Sequence, residues 1–220
     1  MRVVHTEDVP ESRVEEGETE FRRRKLAAAA GGEALGCSLY ELPPGSQSWP
    51  YHYHTGNEEA LYVLAGEGRL IVITASLYRR GDSCRRSERP SRRFSTPSVE
   101  LFAVISIRLD DEWYDLEAGV YVALPTGPES AHRVCNDGSE PLRYLAVSTM
   151  REPDVTVYPD SEKVGVFAGS PPGGSDERTV HGYYPRDADV DYWDGENETG
   201  AAVDGEETAT DSSGDVTDGE

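Results

Sequence analysis

The chain has 220 residues, of which 42 are acidic and 21 are basic, giving a formal net charge of −21. Recognition of nucleic-acid phosphates needs clustered positive charge, so this balance argues against a nucleic-acid-binding protein. The length allows one sizeable core, and the sequence shows neither the apolar periodicity of a second domain nor a run long enough for a transmembrane helix.

The acidic excess has two explanations, which the sequence leaves open. Such a surface is typical of halophilic proteins, because 1 M salt shortens the screening length to about 3 Å and mutes self-repulsion. The alternative is an ordinary acidic protein with an acidic tail, since Asp187–Glu220 holds 13 acidic residues and no Lys or Arg. The N-terminal sequence lacks an apolar signal region, and the three cysteines are not closely spaced, which together predict a cytoplasmic protein with free thiols.

The first quarter of the chain predicts an acidic segment followed by strands. Residues 1–20 are acidic and are predicted to be loosely held. Phe21–Leu26 and Leu35–Leu42 are predicted strands on either side of an Ala-Gly connector, and a Pro-Pro-Gly turn ends at Gly45.

The next segment combines two histidines and a glutamate in a pattern that indicates metal binding. Alternate side chains of an extended strand share a face, so His52 and His54 are expected to point into the same space. The Thr-Gly-Asn turn signal that follows lets the chain double back, so Glu59 on the returning strand can meet both imidazoles. Two imidazoles and one carboxylate make up most of a metal site.

The aromatic residues that alternate with these histidines are expected on the opposite face of the strand. Trp49, Tyr51 and Tyr53 would then face outward together. Two interpretations remain open: packing of one sheet on another, or the interface of a homodimer.

An Arg-rich insertion is predicted between residues 71 and 109. Two strand-like runs, LIVITASLY and VELFAVISIRL, flank seven arginines that fall within 15 positions of an otherwise acidic chain. The simplest interpretation is an antiparallel ribbon with a mobile, dispensable tip. The tip is either a basic arm for an anionic partner or a tolerated loop insertion, and we favour the second because loop insertions cost little free energy.

The last third of the chain predicts a turn with another histidine, a further strand and a tail. Asp115–Leu124 leads into a turn that precedes His132, and Leu142–Thr149 is a predicted barrel strand. Residues 171–193 form an aromatic C-terminal extension after a Pro-Pro-Gly-Gly linker. Residues 194–220 are rich in Gly, Asp, Glu, Thr and Ser, and they are predicted to be a disordered acidic tail.

Two segments of the sequence resemble the paired motifs of the cupin superfamily. The first motif is carried by Gly45, His52, His54, Glu59 and Gly66, with six residues between Gly45 and His52 where the family pattern has five. The second motif is carried by Gly119, Pro125, Gly127, His132 and Asn136, with four residues between Gly127 and His132 where the family usually has two. The resemblance covers roughly residues 20–170.

This resemblance implies an all-β fold: a double-stranded β-helix, or jelly-roll barrel, that occupies residues 21–170 and carries the insertion 71–109. It also implies that three histidines and one glutamate, namely His52, His54, Glu59 and His132, hold a metal inside the barrel. Burying these four polar groups together without a cation would be costly, which favours a metal. The donor set suits a divalent transition metal such as Mn, Fe, Co, Ni or Zn.

The sequence predicts a protein that binds or acts on a small molecule through this metal. One hypothesis is a metal-dependent enzyme, an isomerase or a dioxygenase, whose cation polarises an oxygen of a sugar or an organic acid. The other is a non-catalytic cupin that binds or senses such a ligand. The inward positions of both motifs are apolar, so the sequence offers no obvious Arg, Lys or second carboxylate beside the metal. Neither a nucleic-acid nor a membrane partner is predicted.

Overall fold

The regular structure of the described residues is mainly antiparallel strand, in agreement with the predicted all-β fold. The computed structural model describes residues 2–72, 107–108, 113–174 and 177–196. The strands, in chain order, are β1 (Glu11–Glu16), β2 (Thr19–Lys25), β3 (Leu35–Leu42), β4 (Tyr53–His54), β5 (Glu59–Ala65), β6 (Gly68–Val72), β7 (Ile107–Arg108), β8 (Trp113–Leu116), β9 (Tyr121–Leu124), β10 (His132–Cys135), β11 (Leu142–Thr149), β12 (Asp154–Tyr158), β13 (Lys163–Ala168) and β14 (Val180–Pro185).

Helical structure in the described residues is limited to short pieces before and between the strands. The helix α1 (Leu26–Ala30) follows β2 and ends at Gly31, whose φ of 76° lies in the left-handed region. Single 3₁₀ turns occur at Thr6–Asp8, Pro128–Ser130 and Pro159–Ser161. Within the described ranges, no helix has the length and apolar character needed to cross a membrane.

The strands form three groups of hydrogen-bonded neighbours. The first group has the order β1-β2-β3-β11-β5-β9, the second β10-β6-β7-β8 with an added β6–β8 pairing, and the third β14-β13-β12-β4. Neighbours are antiparallel except for the parallel pair β6–β7. An antiparallel bridge between His52 and His132 links the segment before β4 to β10. This arrangement is the β-barrel that the sequence predicts.

The core lies between the first two strand groups, because each contributes alternate side chains to it. Its members are buried and come from β2, β3, β5, β8, β9, β10 and β11. They are Phe21, Tyr40, Leu42, Leu61, Val63, Leu116, Leu124, Val134, Leu142 and Tyr144. The predicted strands Leu35–Leu42 and Leu142–Thr149 have the same bounds in the structure and pair along their whole length.

Residues 1–20 are more ordered than the sequence suggests. The strand β1 pairs with β2 from Glu11 to Glu16, and Val9 is buried. The charged sequence does not predict this hairpin, because β1 is stabilised by pairing with β2 rather than by an apolar face of its own.

The chain between β6 and β8 contains the predicted insertion, and its boundaries differ from those in the sequence analysis. Ile71 and Val72 continue β6 and pair with Arg133 and His132 of β10. At the other end, β7 pairs with β6 and β8. These residues therefore belong to the barrel sheet, while the Arg-rich segment itself lies outside the described residues, as does the tail beyond residue 196.

The expected outward face of Trp49, Tyr51 and Tyr53 is not present. Trp49 packs against Phe21 of the core, and Tyr51 is only 2% exposed. Strand alternation does not apply here, because the regular strand β4 contains only Tyr53 and His54. These aromatics therefore pack within their own chain, and a homodimer, which stays a prediction, would need a different surface.

The cysteines differ from the expectation of free thiols. Cys37 is free, whereas the fully buried Cys135 is disulfide-bonded. The aromatic C-terminal extension contributes β14, which pairs with β13 along its whole length. The chain divides into a compact unit that ends at Asp187 and a second unit that begins at Ala188.

Candidate metal centre

The backbone brings the two histidine-bearing segments side by side. The N–H of His52 donates to the carbonyl of His132 over 3.1 Å, and the N–H of His132 donates back to the carbonyl of His52 over 2.8 Å. His54 lies on β4 beside Thr156 of β12, and Glu59 begins β5. Four residues from two distant parts of the sequence are therefore brought close together.

Three of the four predicted ligands converge closely. Among the described residues, His52, Glu59 and His132 each offer one ligand atom, and these atoms lie within 4.8 Å of one another. Both histidines are buried and Glu59 is half-buried. The Nε2 atom of His132 is 3.4 Å from a carboxylate oxygen of Glu59.

His54 adjoins this group through Glu59 but lies outside the close cluster. Its Nε2 atom is 3.6 Å from the same carboxylate oxygen of Glu59 that His132 approaches. Ligand atoms held ~2.1 Å from one metal ion lie about 3 to 3.5 Å apart in tetrahedral or octahedral geometry. The distance from His54 to Glu59 is close to this range, whereas His54 is not a member of the group of three that converges within 4.8 Å.

The hydrogen bonds of the ring Nδ1 atoms leave each Nε2 atom available as a ligand. The Nδ1–H of His52 donates to the carbonyl of Pro50 over 2.7 Å, and that of His132 donates to the carbonyl of Ser130 over 2.9 Å. A carbonyl only accepts, so the proton of each neutral ring must be on Nδ1. The lone pair is then on Nε2, which is the form that binds a metal.

The electrostatics differ between the three histidines. Burial lowers the pKa of His52 well below its ordinary value, and the neighbouring His132 and His54 lower it further. Burial likewise lowers the pKa of His132. Burial also opposes protonation of His54, but the carboxylates of Glu59 and Asp154 outweigh it and raise the pKa of that ring. The site thus combines the neutral imidazoles of His52 and His132 with the ring of His54, whose surroundings favour positive charge.

These observations fit a divalent transition metal. Imidazole nitrogen and carboxylate oxygen are suitable donors, and a hydrogen-bonding partner orients every ring. The carboxylate supplies the negative charge that a cation needs when it is buried. The converging side chains that the structure describes include no thiolate, which argues against a closed structural zinc site.

A cavity of about 820 Å³ opens beside the histidines and extends to α1 and to the segment that follows β13. His52, His54 and Glu59 contribute to its wall. Three basic side chains also line it, namely Arg23, Lys25 and Arg178. The inward positions of the two motifs predict no basic group at the site, because all three of these residues lie elsewhere in the chain. The sequence signal for two of them was their alternation with Phe21 along β2. Phe21 is expected in the core, and Arg23 and Lys25 share its face of the strand.

An aromatic wall faces the same cavity. The Tyr158 ring stacks on His52 with centroids 5.8 Å apart, and Tyr183 lies 6.0 Å from Tyr158. Burial raises the pKa of the Tyr158 hydroxyl far above its ordinary value, and proximity to Tyr183 adds to the effect. Tyr158 is therefore a neutral hydrogen-bonding group at neutral pH. Lys163 lies 5.0 Å from its ring centroid.

Comparison with known proteins agrees with this architecture. The sequence matches the Cupin_2 family model, described as a cupin domain, over residues 38–85, a range that contains the first motif. No curated protein matches the sequence.

Several solved structures are similar to this chain. A sugar phosphate isomerase of the cupin superfamily from Silicibacter pomeroyi has a TM-score of 0.57 at 18% identity, covering 84% of this chain and 94% of that chain. A polyketide cyclase from Streptomyces resistomycificus has a TM-score of 0.47 at 21% identity, covering 74% and 92%. A predicted oxalate decarboxylase from Thermotoga maritima has a TM-score of 0.44 at 20% identity, covering 67% and 97%.

At these identities, the first of these structures supports the fold and nothing finer. The family match includes His52, His54 and Glu59, and the barrel places His132 beside them. The chain therefore contains a cupin domain.

Proposed function

We propose that this cupin binds a divalent transition metal through His52, His54, Glu59 and His132 and uses it to bind or transform a small molecule. The observation that carries the proposal is the convergence of His52, Glu59 and His132 beside a ligand-sized cavity that His52 and Glu59 line. A cavity of several hundred Å³ suits a metabolite such as a sugar or an organic acid.

The chain's own residues determine what such a site can do. The metal, when bound, would supply Lewis acidity that polarises an oxygen of the ligand. Buried imidazoles, with Nδ1 held by carbonyls, keep the ligand atoms in place without rearrangement. The aromatic wall of Tyr158 and Tyr183 lines one side of the cavity, where the neutral Tyr158 hydroxyl is hydrogen-bonded with Tyr183.

Elemental analysis of the native protein tests the metal proposal and identifies the metal. The His52→Ala, His54→Ala double variant is expected to lose the bound metal, because it removes two nitrogen ligands. His181→Ala is the matched control, since His181 lines the same cavity but stacks on Phe167 away from the cluster. Unchanged metal stoichiometry in the double variant would show that the metal site lies elsewhere.

Turnover assays separate an enzyme from a binding module. Metal-loaded protein would be incubated with panels of carbohydrates and carboxylic acids, and products would be detected by mass spectrometry. Turnover that disappears in the double variant would identify a metal-dependent enzyme. Saturable binding without product would identify the non-catalytic alternative.

A further inference from the structure

One basic residue of the cavity, Arg23, is placed differently from its neighbours in the sequence. It is the middle of three consecutive arginines on β2, where successive side chains point to opposite faces. Arg22 lies 3.9 Å from carboxylate oxygens of Glu11 and Glu41, and Arg24 lies 3.1 Å from Glu11. Arg23 instead shares the face of the buried Phe21 and lines the cavity.

Aromatic rings hold the guanidinium of Arg23. Its central carbon lies 5.6 Å from the ring centroid of Trp49 and 6.0 Å from that of Tyr40, the residue paired with it on β3. The indole N–H of Trp49 donates to the Tyr40 hydroxyl over 3.1 Å, which fixes the two rings to each other. Tyr40 stacks in turn on Tyr144 at 5.1 Å. The guanidinium is therefore held in position before any ligand arrives.

The described part of the chain leaves donors of Arg23 unused. Among the described residues, Arg23 has no ion pair with a carboxylate, although the chain contains 42 acidic residues. Its Nε atom is buried without a hydrogen-bond partner. A buried donor without a partner is unusual, because such a group forfeits its bonds to water.

The other basic groups of the cavity are already engaged. The ammonium of Lys25 donates to the carbonyl of Gly174 over 3.2 Å, and the Nε–H of Arg178 donates to the carbonyl of Ser170 over 2.9 Å. The carboxylates of the wall other than Glu59 are Glu33 and Glu152, and both are exposed to solvent. Arg23 is thus the basic group of this wall that is best prepared to receive an anion.

We propose that Arg23 binds the anionic group, a carboxylate or a phosphate, of a small molecule whose other end faces His52, His54 and Glu59. A guanidinium forms two parallel hydrogen bonds with either oxyanion, which suits a rigid group with unused donors. Only one part of this inference, that the other end of the ligand faces the metal, rests on the proposed function. It narrows the ligand class to acidic metabolites and gives the aromatic platform of Trp49 and Tyr40 a function.

Isothermal titration calorimetry on metal-free protein tests the anion site separately from the metal. Malonate and inorganic phosphate are the probes, titrated at constant ionic strength set with chloride. At least one of them is expected to bind, and Arg23→Gln is expected to weaken that binding at least tenfold. Binding of phosphate alone would indicate a phosphorylated ligand, and binding of malonate alone would indicate a carboxylate.

Arg22→Gln is the matched control, because it removes the same charge from the adjacent position on the outer face. It is expected to keep the dissociation constant within about twofold of wild type. The inference is overturned if neither anion binds wild-type protein, or if Arg23→Gln binds as wild type does. Should Arg23→Gln fail to fold, Arg23→Lys, which keeps the charge but not the paired donors, is expected to weaken binding; unchanged affinity would overturn the inference. Absence of metal from native protein would refute the proposed function and leave this result standing.

Discussion

The ring of His54 is held by a carboxylate, whereas carbonyls hold the rings of His52 and His132. Its Nδ1–H donates to Asp154 over 2.6 Å, and the other oxygen of Asp154 accepts the N–H of Gly56 over 3.0 Å. Asp154 is fully buried. Burial alone would raise the pKa of its carboxyl group, but the bond to His54 prevails and lowers it. Asp154 is therefore a positioning residue for one predicted metal ligand.

Replacing Asp154 should weaken metal binding. Asp154→Asn removes the charge that orients His54 and favours a cation there, so the dissociation constant for cobalt(II) is expected to rise about 10- to 100-fold. Competition with a chromophoric chelator measures it, and thermal unfolding of metal-free protein reports any separate loss of stability. Glu58→Gln is the control, because Glu58 is exposed beside Glu59. A cobalt affinity equal to that of wild type would show that Asp154 has only a structural role.

At the scale of elements, the turn after β5 depends on a glycine of the first motif. Gly66 has a φ of 80°, in the left-handed region that favours glycine. A Cβ atom at this position would collide with the carbonyl of Pro141 and lie 2.9 Å from the Cα of Leu142. Leu142 begins β11, which lies between β3 and β5 in the sheet. The motif glycine thus permits close contact between two backbones.

The two glycines that frame the first motif should respond differently to substitution. Gly66→Ala is expected to destabilise the fold by about 2–4 kcal/mol, because backbone strain adds to a collision with β11. Gly45 has a φ of 79°, but a Cβ atom added there would meet nothing within 4 Å, so Gly45→Ala should cost only about 1 kcal/mol. Urea unfolding measures both. Equal losses of unfolding free energy would mean that backbone strain alone, and not the close contact with β11, requires glycine at position 66.

At the scale of the whole molecule, the described barrel strands on either side of the predicted insertion pair with each other. Ile71 of β6 pairs with Trp113 of β8, so the described strands before and after the predicted insertion are neighbours in the sheet. Val72 pairs with His132, which makes the end of β6 a support for the candidate metal centre. The dispensable segment should therefore be residues 73–106 rather than 71–109.

Two deletions distinguish these boundaries. Under reducing conditions, which remove the disulfide of Cys135 from wild type as well, replacing residues 73–106 with a Gly-rich linker of about a dozen residues is expected to preserve metal content and thermal stability. The reason is that the linker is long enough to join the parallel strands β6 and β7, so every described pairing of β6, β7 and β8 remains. Removing 71–109 is expected to lower both, since β10 loses the partners of His132 and Arg133. Aggregation or metal loss in the shorter deletion would show that the Arg-rich segment contributes to the barrel.

The sequence alone determined the fold class and the four residues proposed as metal ligands. Strand alternation and turn residues are local properties, so Leu35–Leu42 and Leu142–Thr149 could be predicted with their bounds. The two motifs could be recognised from the sequence for the same reason, because each carries its proposed ligands within a short stretch. The prediction failed for Trp49 and Tyr51, where the backbone is irregular and alternation has no meaning.

Only the tertiary structure decided which residues surround the metal centre. Asp154 lies 100 positions from His54, and nothing near it in sequence identifies it as a partner. Alternation with Phe21 indicates that Arg23 faces inward, but only the placement of β2 beside β3, with Tyr40 opposite Arg23, shows that it lines the cavity. Pairing between distant strands fixes these contacts, and a linear pattern of side chains does not specify which strands will pair.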